Sequence, residues 1–79
     1  MASTVLIIED EPKLRELVRA YFHRAGIDVL STGSGAEGIE LSLSAHPDLV
    51  VLDLGLPDVP GDVVVQGIRR RADVPILIL

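Results

Sequence analysis

Two short apolar segments, TVLII (residues 4–8) and DLVVL (residues 48–52), decide the fold of this chain. Both are rich in Val, Ile and Leu and are separated by helix-like patterns, so they predict neighbouring strands of a parallel sheet buried on both faces. Glu9 and Asp10 follow the first segment, and Asp53 follows the second. Because ligands of open α/β sheets bind beyond the carboxyl ends of the strands, we expect these three acids to converge at a ligand site.

The composition excludes several classes of protein. The 79 residues suffice for one small domain, whose core must be aliphatic because Tyr21 and Phe22 are the only aromatic side chains. Cysteine is absent, which excludes disulfides and thiolate metal sites, and no apolar run reaches the length of a membrane span. The formal net charge of −5 disfavours nucleic-acid binding by this segment. Without a signal-peptide pattern, a cytoplasmic protein is expected.

The first half of the chain predicts a helix followed by a strand. Glu11 is a candidate N-cap and Pro12 suits the first helical position. Gly26 fits a left-handed helix terminus, and IDVL (residues 27–30) predicts the second strand. One apolar stripe at helical spacing comprises Leu14, Leu17, Val18, Tyr21 and Phe22.

The second half repeats the alternation. Ser34 is a candidate cap of a second helix, whose predicted inward positions are Ala36, Ile39 and Leu43. After the third strand, GLPDVPG (residues 55–61) predicts a loop, since its prolines and glycines disfavour regular structure. A third helix is expected over residues 62–71, with a solvated arginine face at residues 69–71. PILIL (residues 75–79) predicts a fourth strand.

Glu9, Asp10 and Asp53 form an acidic cluster, which helix capping explains only in part. Negative charge near a helix N-terminus is stabilised by about 0.3–1 kcal/mol, which suffices to explain Glu9, Asp10 and Glu11. It does not explain Asp53, which follows a buried strand where a charge is costly unless it is paired or metal-bound. The pattern therefore favours a metal or phosphoryl site, because clustered carboxylates repel and a cation relieves that repulsion. Asp58 is interpreted as a turn residue.

A glycine-rich segment offers a different hypothesis. GSGAEG (residues 33–38) matches the dinucleotide fingerprint G-x-G-x-x-G and lies between a predicted strand and a predicted helix. That fingerprint normally opens the first strand–helix unit and is followed about 20 residues later by an acid. Here it belongs to the second unit, and a bound pyrophosphate would face the acidic cluster. A loop with Ser34 as helix cap is the favoured interpretation.

Together these residues resemble the receiver domain of two-component response regulators. The resemblance is carried by the pair Glu9-Asp10, by Asp53 after an apolar strand, and by DLGLPD (residues 53–58) with Gly61 shortly after. It covers the whole chain. The segment DLGLPD is similar to the corresponding segment of transcriptional regulators that join a receiver to a winged-helix DNA-binding domain.

The resemblance implies a flavodoxin-like open parallel sheet with helices on both faces and a phosphoacceptor function. Asp53 would be the nucleophile that accepts a phosphoryl group from the phosphohistidine of a sensor histidine kinase. Asp10, Asp53 and the backbone carbonyl of Gly55 would bind Mg²⁺ directly, and Glu9 would act through a water. Such a domain catalyses its own phosphoryl transfer without being an enzyme otherwise, and DNA binding would belong to a C-terminal domain outside this segment.

The family pattern also includes residues that these 79 do not contain. The resemblance implies a Ser or Thr just past the fourth strand and a Lys at the end of the fifth. We therefore expect residues 1–79 to be the N-terminal part of a receiver domain, with the order βαβαβαβ and without the last helix–strand–helix. An uncovered apolar face and an open edge at residues 76–79 would then favour self-association.

Three hypotheses follow from the sequence. The first is a phosphoacceptor receiver, the second a receiver-like module that binds a kinase without switching, and the third a dinucleotide-binding α/β domain. Binding of Mg²⁺ at the acidic cluster would support the first two. Binding of a dinucleotide at residues 33–38 without metal would support the third.

Overall fold

A parallel sheet of four strands with helices on both faces organises the chain. The computed structural model describes residues 3–79. In chain order the elements are β1 (Thr4–Ile8), α1 (Pro12–Arg24), β2 (Asp28–Thr32), α2 (Gly35–Ser44), β3 (Leu49–Leu52), α3 (Gly61–Arg69) and β4 (Ile76–Ile78). The strand order across the sheet is β2-β1-β3-β4, and all neighbouring strands are parallel. The predicted βαβαβαβ order is confirmed.

The central strands are apolar at every position except Thr4 because both of their faces are buried. In β1, Leu6 and Ile8 face the layer formed by α2 and α3, whereas Val5 and Ile7 face α1. All four side chains are at most 1% exposed. A near-continuous aliphatic run is the sequence pattern of a strand covered on both sides, which is why these segments could be recognised from the sequence.

The register of β1 and β3 makes the two strands end together. Ile8 pairs with Leu52, and the Asp53 amide donates to the Ile8 carbonyl at 2.9 Å. On the other side of β1, the Glu9 amide donates to the Thr32 carbonyl at 3.0 Å. The residues that follow β1 and β3 are therefore held side by side at one edge of the sheet.

The start of α1 is as predicted, but its apolar stripe is only partly covered. The Glu11 carboxylate accepts a hydrogen bond from the Leu14 amide at 2.7 Å, and Pro12 takes the first helical position. Val18 and Phe22 pack on the sheet, whereas Leu17 and Tyr21 are 68% and 72% exposed. An exposed apolar strip therefore runs along α1.

The inward face of α2 differs from the one predicted. Ser34 caps the helix as expected, but Ala36 is exposed and the buried positions are Gly35, Gly38 and Ser42. A Cβ at Gly38 would lie 2.5 Å from Cδ1 of Ile8, so the helix backbone rests directly on β1. Small residues therefore line the buried face of α2. The prediction that Ala36 faces inward was wrong because it rested on hydrophobicity alone. Ile39 packs against the core as predicted.

Several element ends differ from the predictions by one or two residues. Strand β2 continues to Thr32, and α3 ends at Arg69, two residues before the predicted end. The Arg69 guanidinium donates to the Val74 carbonyl across the α3–β4 connection. Arg69 is therefore not purely a solvated side chain, as the sequence had suggested, but a link between helix and strand. Among residues 3–79, no helix has the length and apolarity needed to cross a membrane.

The loop between β3 and α3 closes tightly on itself. A Cβ at Gly61, the first residue of α3, would lie 2.6 Å from the Leu54 Cα. A backbone atom at that distance cannot rotate away as a side chain can. Leu56, in the middle of the loop, is 8% exposed and belongs to the core. The loop is therefore a packed segment of fixed shape.

This close approach generates a prediction about Gly61. We expect Gly61→Ala to lower the free energy of unfolding by about 1–3 kcal/mol in urea denaturation, because overpacking forces the backbone apart. The matched control is Gly67→Ala in the same helix, where the nearest atom is Ile39 Cδ1 at 2.9 Å, the movable end of a side chain. Alanine is the better helix former, so Gly67→Ala should be neutral or stabilising. Equal effects of the two variants would contradict the packing account.

Candidate functional site

Three carboxylates converge beyond the ends of β1 and β3. Glu9, Asp10 and Asp53 each offer one oxygen, and these oxygens all lie within 4.8 Å of one another. Glu9 is 2% exposed, whereas Asp10 and Asp53 are half-buried. The convergence expected from the sequence is thus present, and it results from the shared register of the two strands.

Burial raises the pKa of Glu9. The charged form of a carboxyl group loses hydration in the interior, and the neighbouring Asp53 raises the pKa further by repulsion and by sharing a hydrogen bond. The Glu11 amide donates to Glu9 Oε2 at 3.0 Å. This bond lowers the pKa of Glu9 but does not cancel the rise caused by burial and by Asp53. Glu9 therefore holds a proton more readily than an exposed glutamate does.

The pKa of Asp53 moves the other way. The Gly55 amide donates to Asp53 Oδ1 at 3.0 Å, and this bond to the charged form is the largest cause of the lowered pKa. Hydrogen bonds shared with Glu9 and Asp10 add to it. Asp53 is therefore ionised at neutral pH and can act as a nucleophile.

No ion pair neutralises the cluster within residues 3–79. The salt bridge found in that part of the chain joins Arg19 to Glu16 on the surface of α1. The nearby Arg15 guanidinium donates to the backbone carbonyl of Glu9 at 2.9 Å. Mg²⁺ in proteins is usually bound by one or two carboxylates together with waters and phosphate oxygens, so the converging carboxylates of Glu9, Asp10 and Asp53 fit that ion.

The glycines of the dinucleotide-like segment have packing roles. A Cβ at Gly33 would lie 2.9 Å from Nη1 of Arg15, and one at Gly35 would lie 3.0 Å from Cγ2 of Val64. Gly38 rests on Ile8, as described above. Close packing against core side chains thus accounts for Gly35 and Gly38 without a bound nucleotide, whereas Gly33 meets only the movable end of the Arg15 side chain.

One contact at this edge was missed by sequence reasoning. Asp58 lies in the β3–α3 loop as expected, but its carboxylate also bonds to the first turn of α2. It accepts from the Gly35 amide at 2.9 Å, the Ala36 amide at 3.2 Å and the Ser34 hydroxyl at 2.9 Å. The two amides are the main reason why the pKa of Asp58 is lowered to about 2.

Comparison with known proteins places this geometry in a family. The family model for the response regulator receiver domain matches residues 5–79. The chain is 42% identical over 78 residues to the DNA-binding dual master transcriptional regulator RpaA of Synechocystis, covering 95% of this chain and 32% of that protein. It is 39% identical over 75 residues to the probable transcriptional regulator ycf27 of Porphyridium aerugineum, covering 95% and 31%. The chain thus spans about a third of these curated relatives.

Solved structures show the same fold. The chemotaxis response regulator CheY4 of Vibrio cholerae superposes with a TM-score of 0.93 at 25% identity, over 99% of this chain and 68% of that one. The MaeR response regulator bound to beryllium trifluoride gives 0.87 at 29% identity, over 98% and 66%. The complex of histidine kinase ThkA with response regulator protein TrrA gives 0.88 at 30%, over 96% and 66%.

These neighbours confirm the flavodoxin-like receiver architecture expected from the sequence. The family match extends over nearly the whole chain and includes both strands that bear the converging acids. The chain therefore belongs to the response regulator receiver domain family of two-component signalling.

Proposed function

We propose that this chain is a phosphoacceptor receiver in which Asp53 takes a phosphoryl group from a histidine kinase while Mg²⁺ is bound at the acidic cluster. The observation that carries the proposal is the convergence of three carboxylate oxygens within 4.8 Å. Family membership supplies the reaction class. The assignment of Asp53 rests on its position after β3, its ionised state and its neighbours.

Asp53 has the properties that a nucleophilic carboxylate needs. One oxygen, Oδ1, is oriented by the Gly55 amide, and the lowered pKa keeps the group charged at neutral pH. In the proposed step a carboxylate oxygen attacks phosphorus, the P–N bond of the donor phosphohistidine breaks, and its electron pair stays on the imidazole nitrogen. The product on this chain is an aspartyl phosphate.

Four groups of this chain would hold the metal. Asp10, Asp53 and the carbonyl of Gly55 are the proposed direct ligands, with Glu9 acting through a water. When bound, Mg²⁺ neutralises charge on the transferring oxygens and on the attacking carboxylate. Asp53 and Gly55 are already joined by a hydrogen bond, which keeps the two proposed ligands adjacent.

The partner and the output are inferred from the relatives. A receiver structure 30% identical to this chain is complexed with a histidine kinase, which supports a sensor kinase as donor. The relatives are named as transcriptional regulators, so we propose that the signal controls transcription through a separate output domain. We also propose that the chain is cytoplasmic and acts as a phosphoacceptor rather than as an enzyme. Its coverage of about two thirds of solved receivers supports residues 1–79 as the N-terminal part of such a domain.

We also propose that the chain self-associates through exposed apolar surface. Leu17 and Tyr21 form the uncovered strip of α1, and Leu77 to Leu79 are 43–52% exposed on and after the edge strand β4. Apolar edge strands favour pairing with another chain. The net charge of −5 opposes association but acts over a longer range and is screened by salt.

The nucleophile assignment predicts the effect of one substitution. Asp53→Asn should abolish incorporation of acid-labile phosphate from a small phosphodonor in the presence of Mg²⁺, because an amide oxygen is a poor nucleophile. Asp73→Asn, in the exposed connection before β4, removes the same charge far from the cluster and should label like the parent chain. Undiminished label in Asp53→Asn would contradict the assignment.

The metal proposal predicts a change in stability. The raised pKa of Glu9 means that the folded chain binds that proton more tightly than the unfolded chain, so ionised Glu9 destabilises the fold at neutral pH. For a site of millimolar affinity, about 10 mM Mg²⁺ should raise the free energy of unfolding by about 1.4 kcal/mol, seen as a higher Tm. The gain should shrink as the pH falls and Glu9 binds its proton.

The control for this measurement is Glu9→Gln. The substitution keeps the shape of the side chain and removes the buried charge, so it should raise the Tm without metal and reduce the response to Mg²⁺. An identical Tm with and without Mg²⁺ at neutral pH would contradict the metal site.

Self-association is tested by sedimentation at micromolar concentration. We expect dimers or larger species that dissociate in Leu77→Lys, because a charge on an exposed edge strand opposes pairing. Gln66→Lys, on the exposed surface of α3, adds the same charge away from that edge and should leave the association unchanged. A monomeric parent chain would contradict the proposal.

A further inference from the structure

The loop between β3 and α3 is fixed in the middle by Asp58. Its beginning is joined to the acidic cluster through the bond from the Gly55 amide to Asp53, and its end is packed where Gly61 meets Leu54. Between these points, Asp58 accepts three hydrogen bonds from the first turn of α2. Asp58 is only three residues from Gly55, so its bonds restrict the segment that carries the proposed metal-binding carbonyl.

Apolar packing places the loop against the same turn of α2. A Cβ at Gly35 would lie 3.1 Å from the Val59 Cβ and 3.2 Å from Leu56 Cδ1, so side chains on both sides of Asp58 press on this turn. Leu56 and Val59 set how far the loop lies from the helix. The directional bonds of Asp58 then set its position along the helix N-terminus, where a carboxylate is favoured.

Hydrogen bonds around the acidic cluster connect β1, the end of β2, the start of α2 and the β3–α3 loop in a ring that includes Asp58. The Ser34 amide donates to the Thr32 hydroxyl at 3.1 Å, and the Thr32 carbonyl accepts from the Glu9 amide at 3.0 Å. The Asp53 amide donates to the Ile8 carbonyl and so connects the start of the loop back to β1. In this ring, Asp58 supplies the hydrogen bonds between the loop and α2.

We infer that Asp58 is a positioning residue for the metal site: its bonds to α2 hold the Gly55 carbonyl at the distance from Asp10 and Asp53 that Mg²⁺ requires. This inference rests on the proposed function, in which Gly55 is a ligand. Mg²⁺ demands near-octahedral geometry with short ligand distances, so a small displacement of one ligand weakens binding. Glycine at position 55 leaves the backbone free to move unless the loop is held.

The test is a Mg²⁺ titration of the 79-residue chain followed by the amide resonances of residues 9, 10, 53 and 55. We expect Asp58→Ala to raise the Kd about tenfold, the size of effect seen when groups that orient metal ligands are removed. Asp58→Asn keeps an acceptor oxygen and should give an intermediate Kd. Asp62→Ala removes the same charge from an exposed position four residues away and should match the parent chain. Amide dispersion in each variant confirms that it is folded.

The outcomes separate this inference from the proposed function. If the parent chain binds no Mg²⁺, both are wrong. If the parent chain binds Mg²⁺ and Asp58→Ala binds it equally well, the metal site stands and the role of Asp58 is overturned. A Kd for Asp58→Asn equal to that of Asp58→Ala would also overturn it, because the effect would then follow from lost charge rather than from the hydrogen-bonded position.

Discussion

The parallel register of β1 and β3 is the constraint on which the site depends. Because Ile8 pairs with Leu52 and the Asp53 amide bonds to the Ile8 carbonyl, the acids after each strand are brought into contact whatever their mutual repulsion. The apolar packing of both strands supplies the free energy that holds these like charges together. A receiver can thus keep a partly buried anionic site ready for a cation because the sheet core, and not the site, determines where the acids lie.

The same register gives two neighbouring carboxyl groups different chemistry. Glu9 is almost fully buried, so its charged form is destabilised, whereas Asp53 is half-buried and its charged form is stabilised by the Gly55 amide. As the pH falls, Glu9 therefore takes up a proton before Asp53 does. Environment rather than residue type thus moves the pKa values of these two carboxyl groups in opposite directions.

Sequence reasoning located the strands and the acids well because both depend on short-range pattern. The β1 run and the acid that follows it could be assigned without knowing the rest of the fold, and the α/β rule then predicted where the acids meet. The buried face of α2 was misjudged at Ala36, since only the backbone contact of Gly38 with Ile8 reveals that glycine faces the sheet. The role of Asp58 depends on Ser34, 24 residues earlier in the chain, and no local pattern signals such a pair.

The convergence of unlike carboxylates is tested most directly by following the side-chain carboxyl carbons through a pH titration by NMR without metal. The structure predicts that Glu9 titrates above the ordinary range of a glutamate and Asp53 below that of an aspartate. Because Asp53 contributes to the raised pKa of Glu9, Asp53→Asn should move the Glu9 midpoint back toward its ordinary value. Ordinary midpoints for both groups, with Glu9 unaffected by Asp53→Asn, would contradict the account.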